Sequence, residues 1–420
     1  SEYFVGMLTG FGIHFPDYLT IDYGTASKAF EAIQRGEQAT DVMKVAAAAY
    51  EHAPTIFGNA KLLIDLPAGV ITILVTGLVY IGIKESRTAS NALVVLKLLV
   101  IFLVIILGAF YVKPENWSPF APNGVQGVLG GVASVFFAFI GFDSISTTAE
   151  ECRDPQRDLP RAMIYCLIIC TVLYVAITLV LTGMVNYTEL KVDDPLAYVF
   201  QKIGFDFIAG VISVSAVVAI TSALLVYQMG QPRIWMSMSR DGLLWKKFSE
   251  IHPKFKTPGF ATIMTGLVVA IPSLFMDMGF FVDLTSVGTF FAFILVCGGI
   301  LYLDYQGLSK DATFKVPYIN GKYIVATLFI IGFGYAISQG TFVEHLQEKP
   351  LLAVFWLVWI ALSVMAFRFN FSLLPVLGIL TNLYLMTELG VTNWAIFIIW
   401  LIIGLVIYFG YGYRHSKLSK

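Results

Sequence analysis

Charge is what this sequence has least of. Only 13% of its 420 residues are Asp, Glu, Lys or Arg, while 57% are hydrophobic and 15% aromatic. Mean hydropathy is +0.78. That scarcity excludes an ordinary soluble domain, in which about a quarter of residues are charged. No basic patch with interleaved aromatics occurs, so nucleic-acid binding has no support. The sequence holds no HExxH, the signature of an intramembrane zinc protease. It also lacks the DDxxD that a membrane-embedded lipid or prenyl transferase would need. The four cysteines, Cys152, Cys166, Cys170 and Cys297, have no CxxC spacing and lie in or beside apolar segments. They read as free packed thiols rather than disulfides or zinc ligands. The five histidines fall outside the apolar interiors or at their ends, so neither metal nor cofactor is expected. The opening SEYFVGMLTGFGIHFPDYL has no basic start and no small-residue cleavage site, and reads as the last turns of a span rather than a signal peptide.

What is abundant is long apolar runs, and these specify an all-α polytopic membrane protein. Residues 20–61 are polar and alanine-rich. ASKAFEAIQ and TDVMKVAAAAYEHAP within them have helical spacing, so this is a loop carrying short surface helices. Eleven spans follow, at 62–83, 90–112, 127–150, 159–185, 204–238, 259–277, 281–306, 320–339, 350–368, 372–388 and 392–412. The loops between them leave little room for a separate soluble domain. Alternate loops differ in basic residues: 18 in one set, 8 in the other, with Lys97 in neither. The positive-inside rule makes the richer set cytoplasmic, with the carboxyl terminus inside and the 20–61 loop outside.

The stretch from Gly127 to Pro160 is the one around which the chain is organised. It opens on Gly127, Gly130 and Gly131, turns aromatic through Phe136, Phe137 and Phe139, and is interrupted by Gly141-Phe142-Asp143. A carboxylate deep in a span costs several kcal/mol unless it faces protein, water or a partner charge, so Asp143 reads as functional. Glycine beside it lets the backbone leave the helix, and irregular backbone at membrane depth survives only where it lines a cavity or is buried in protein. The expectation is a broken helix forming one wall of a substrate site. The alternative is a continuous helix whose Asp143 hydrogen-bonds a neighbour.

Lys97 lies about a third of the way across its span. Its stem is long enough to snorkel to the cytoplasmic interface. Turned inward, it becomes a proton carrier or a fixed cation standing in for a bound sodium ion. Either inward role needs oxygen partners, and Thr221 and Ser222 are the candidates, unless their hydroxyls bond back to their own helix. Tyr227, followed by Gln228, either limits the length of a bound side chain or is an interface tyrosine. The charged stretches Glu150 to Pro155 and Ser239 to Leu243 are either solvated helix ends or inner-gate ion pairs.

FFAFIGFDSISTTAEECRDPQRDLPRA, GQPRIWMSMSRDGLLWKKFSEIHPKFKTP, LTSVGTFFAFILVCGGILYL, FSLLPVLGILTNLYLMTELG and IIWLIIGLVIYFGYG, in that order, resemble the cationic amino acid transporter branch of the amino acid/polyamine/organocation (APC) superfamily. The resemblance spans nearly the whole chain. It implies a leucine-transporter-like inverted-repeat fold in which 1–19 is the end of helix 3, 62–306 is the transporter core of helices 4–10, and 307–420 holds two extra helix pairs, helices 11–14. Lys97 matches a lysine that proton-coupled relatives carry in place of sodium. Phe137 matches the aromatic gate, Ala138, Ile140 and Gly141 the backbone that receives the substrate's amino group, and Tyr227 the position that tunes side-chain size. The family's first helix, whose glycine-rich break binds the substrate carboxylate, has no counterpart here, nor do the second and most of the third. The expectation is therefore an N-terminally truncated fragment.

Taken together, these features point to a secondary transporter rather than an enzyme: a multi-pass protein of the cell membrane, with amino acids and protons as its partners within the lipid bilayer. Proton-coupled symport of neutral, small to medium amino acids leads. Carriage of arginine, lysine or polyamines is the alternative, since Asp143 suits a cationic group. A transport-inactive sensor or subunit is a third reading.

Overall fold

The computed structural model describes residues 3–5, 8, 15–36, 41–56, 60–82, 87–142, 145, 152–190, 192, 194–308, 314, 317–338, 340 and 342–417. The chain is almost wholly helical among these residues and divides into two compact units. One comprises residues 1–120, 171–278 and 404–420, the other 121–170 and 279–403.

The first unit begins with a helical hairpin, α1 (Tyr23–Gln34) and α2 (Asp41–His52). Asp22 caps α1 by accepting from the Thr25 amide at 2.8 Å. Ala26 and Ala29 of α1 and Ala46, Ala47 and Ala49 of α2 are buried, side chains small enough for the two helices to pack closely. A two-residue antiparallel pair, β1 (Thr55–Ile56) with β2 (Ala60–Lys61), follows and was not foreseen. Next come α3 (Leu66–Ile81) and α4 (Arg87–Ala109). Asp65 caps α3 at the Ala68 amide, and the Asp65 N–H donates to the Leu274 carbonyl at 2.9 Å. The hairpin is fastened to the same place, because Lys28 pairs with Asp277.

The unit continues with the second half of α6 (Pro155–Met184), α7 (Pro195–Lys202), α8 (Asp206–Arg240) and α9 (Gly259–Phe275). Glycine sets how closely α3 and α9 approach. A Cβ on Gly69 would lie 2.4 Å from Leu274 Cδ2, and one on Gly266 would lie 2.4 Å from Thr76 Cγ2. At the other end of the same pair, Thr257 Oγ1 donates to the Tyr80 carbonyl at 2.7 Å. A core of Val104, Val180, Met184, Val199, Phe200 and Ile212 joins α4, α6, α7 and α8.

The second unit holds α5 (Gly124–Phe136), the first half of α6, α10 (Met278–Tyr305), α11 (Ile324–Ser338), α12 (Phe342–Glu348), α13 (Leu351–Phe369), α14 (Leu373–Glu388) and most of α15 (Val391–Ile407). Leu301, Val325, Phe355, Ala366, Val376 and Leu380 form one core. Val287, Phe290, Met386 and Leu389 form another. Beyond α15, a π turn at Tyr408–Gly412 and a last turn at Tyr413–His415 return to the first unit.

Among the described residues the eleven expected spans correspond to eleven apolar helical segments, but they are unequal. Six are long and apolar enough to cross a membrane, with a seventh if α11 and α12, which meet at 95°, form one span. Leu66–Ile81, Gly127–Phe139, Gly259–Phe275 and Leu373–Glu388 are shorter. Backbone punctuation explains two of these. Gly82, at φ 83°, closes α3 in the left-handed region, and Pro258 precedes α9. The expected span 127–150 likewise does not run through as a helix, since α5 ends at Phe136.

Candidate functional site

The interruption in α5 falls where the sequence placed it. The regular ladder ends at Phe136 and tightens into a 3₁₀ turn over Phe137–Phe139. The Ile140 amide donates to the Phe137 carbonyl at 3.1 Å. Ile140 then turns extended, with ψ 135°, and Gly141 takes φ 114°. A side chain at that φ would be strained, so glycine is what lets the chain leave the helix axis here. The continuous-helix alternative is not what forms. Phe137, Ile140 and Gly141 are half-buried and Ala138 is exposed. Asp143 lies outside the described residues.

The broken end rests on α10. The Phe136 ring packs on Phe290 with centroids 4.4 Å apart. Phe293, one turn further along, meets Phe136 at 6.2 Å and Phe142 at 5.6 Å. Neither Phe290 nor Phe293 stood out in the sequence. Their signal was their i, i+3 spacing on a helix facing an aromatic run, which is also what an ordinary core face looks like.

In the first unit, Lys97 of α4 turns toward α8 rather than snorkelling outward. Its Nζ donates to Ser222 Oγ at 3.3 Å, a long contact, and the residue is half-buried. The ammonium meets Ser222 and not its neighbour Thr221, because successive residues on a helix point about 100° apart. Ser222 thereby accepts from the lysine instead of only bonding back to its own helix. Tyr227 is 52% exposed within the same unit, whereas Gln228 is 3% exposed. Gln228 Nε2 donates to Thr76 Oγ1 at 2.7 Å, and Thr76 Oγ1 in turn donates to the Thr72 carbonyl at 2.7 Å. Pro232 lies one turn on and has no N–H for the Gln228 carbonyl, so the ladder misses a rung at this buried amide. A glutamine four residues before a proline in an apolar helix was the signal that sequence reasoning passed over.

At Ser239 to Leu243 the structure shows a capped helix end. Ser239 Oγ donates to the Trp245 carbonyl at 2.7 Å, and the Leu243 amide reaches back to the Met238 carbonyl at 2.9 Å. Glu150 and Glu151 lie outside the described residues. All four cysteines are free thiols. Among the described residues no group of three or more His, Cys, Asp or Glu side chains could hold a metal ion. In the second unit two polar pairs not singled out before join helix ends: Lys349 donates to Glu388 at 2.6 Å and Asn393 to Asp283 at 2.6 Å.

Comparison with known proteins matches residues 45–362 to the family described as amino acid permease and residues 372–416 to the C-terminus of that family. The chain is 34% identical to the branched-chain amino acid permease BcaP of Bacillus subtilis (strain 168), over 100% of this chain and 73% of that protein. It is 33% identical to the methylthioribose transporter of the same organism, with the same coverage. It is 31% identical to cationic amino acid transporter 2, vacuolar, of Arabidopsis thaliana, over 86% of this chain and 70% of that one.

Proposed function

The chain belongs to the amino acid permease family, in the cationic amino acid transporter branch of the APC superfamily, and from that premise we propose that it is a proton-coupled symporter of neutral amino acids. The observation that carries the reading is the break at Phe137 to Phe142. A zwitterion presents one cationic and one anionic group to be desolvated, and backbone dipoles at an interrupted helix solvate both without a mobile counter-ion. In this reading the carbonyls around Ala138, Ile140 and Gly141 take the α-amino group. Phe137 closes over the substrate, and Asp143 tunes the charge accepted. The scaffold is the leucine-transporter-like inverted repeat, in the cell membrane, with the carboxyl terminus cytoplasmic.

Lys97 is the proton carrier. Its hydrogen bond to Ser222 keeps the ammonium at the α4–α8 contact, where loss of the proton changes the charge between two packed helices. Neutral cargo is favoured over arginine because the two bacterial relatives are named for neutral compounds at 33% and 34% identity. Uptake of L-isoleucine and L-arginine into proteoliposomes, with and without an inward proton gradient, tests the proposal. Gradient-driven accumulation of isoleucine is expected. Arginine uptake that exceeds it would transfer the assignment to cationic substrates, and uptake indifferent to the gradient would make the protein a facilitator or exchanger.

A further inference from the structure

A helix that stops inside a span has lost the repeating bonds that normally fix its direction, so something else must set the angle at which the chain departs. At Gly141 the backbone itself supplies little constraint, because glycine at φ 114° sits in a region open to many neighbouring conformations. Ring contacts lie on both sides of it. Phe293 of α10 meets Phe136, the last residue of the regular helix, edge to face with the planes at 83°. It also meets Phe142, on the far side of Gly141, with centroids at 5.6 Å. Both distances lie in the range where aromatic pairs attract and prefer particular tilts. Phe290, fully buried, holds Phe136 from one turn away. One half-buried side chain therefore bridges the two sides of the break.

We propose that Phe293 is a positioning residue that sets the opening of the α5 break, and through it the affinity for the transported molecule, without touching that molecule. The inference rests on the reading of the break as the substrate site. Loss of the ring frees the segment 137–142 to sample other departures, and only a fraction of these present the backbone correctly. Apparent affinity then falls by that fraction while bound substrate is carried at the usual rate.

The test compares Phe293→Ala, Phe293→Tyr and Phe291→Ala in the intact protein, reading KM and maximal rate of L-isoleucine uptake. Phe291 is the control, since its ring packs on Phe397 of α15 at 5.1 Å. Phe293→Ala is expected to raise KM about tenfold with maximal rate held within about twofold, and Phe293→Tyr to restore KM. Phe291→Ala is expected to leave KM unchanged. A KM that rises equally in both alanine variants, or a fall in rate with KM kept, overturns the proposal. Spin labels at Val132 and Ile145, in a background without the native cysteines, read the break directly. A broader distance distribution in Phe293→Ala supports the assignment, and an unchanged one overturns it. If the wild-type protein carries no amino acid at all, the substrate reading falls, while the distance distribution still decides the role of Phe293.

Discussion

A lysine held between two apolar helices by one hydroxyl is a small feature with a large expected effect. Lys97→Ala removes the charge at the α4–α8 contact that the proposed coupling uses, so gradient-driven accumulation of isoleucine is expected to vanish while exchange of internal for external substrate persists. Counterflow and gradient-driven uptake, measured side by side, separate the two. Ser222→Ala removes a single hydrogen bond to a charged group, worth about 1.5 kcal/mol at the weak end that a 3.3 Å contact implies, and should lower driven uptake about tenfold. Thr221→Val should leave it unchanged. Lys97 and the hydroxyl pair were legible in the sequence because an ionisable group in an apolar run stands out against everything around it. Which of the two hydroxyls meets the lysine was not, since that depends on how α8 is rotated against α4. Gln228 went unassigned for a related reason: its burial and its bond to Thr76 come from α3, far away in the chain.

At the scale of the helix, the interruption of α5 was readable from Gly141 and the aromatic run before it. Its cause is local, a residue without a Cβ at the turning point. The partner that shapes it, α10, was not readable, because the rings of Phe290 and Phe293 have the spacing of any buried helical face. Gly141→Ala places a side chain at φ 114° and should cost about 1–3 kcal/mol in backbone strain or abolish the turn. Uptake should be lost in a protein that still inserts and purifies normally. Gly266→Ala tests packing instead. Its Cβ would sit 2.4 Å from Thr76 Cγ2, so α3 and α9 must separate or Thr76 must rotate and disturb its bond with Gln228. A destabilisation of about 1–3 kcal/mol, read as a lowered midpoint in thermal denaturation, is expected.

For the molecule as a whole, the apolar runs gave the number and order of helical segments, and the 20–61 loop resolved into the expected short helices. The division into two compact units was not legible. It assigns the halves of α6 to different units, and no change of composition marks that boundary. Within the first unit, Arg240, Lys246, Lys247, Lys254 and Lys256 lie at the end where the Lys417 amide meets the Asp241 carbonyl. The α1–α2 hairpin lies at the opposite end, fastened at Asp277. With the basic end cytoplasmic, a membrane-impermeant maleimide should label Glu115→Cys in intact cells and Lys417→Cys only after permeabilisation, in a background without the native cysteines.

The four short helices carry a further implication. At about 1.5 Å per residue, α3, α9 and α14 extend about 24–26 Å, several ångströms less than the roughly 30 Å of hydrocarbon in a typical bilayer. Lipid beside them must thin, or flanking side chains must snorkel to the interfaces, and either adjustment costs a fraction of a kcal/mol per ångström. The transporter should therefore prefer thinner leaflets, working faster in vesicles of fourteen-carbon acyl chains than in those of twenty.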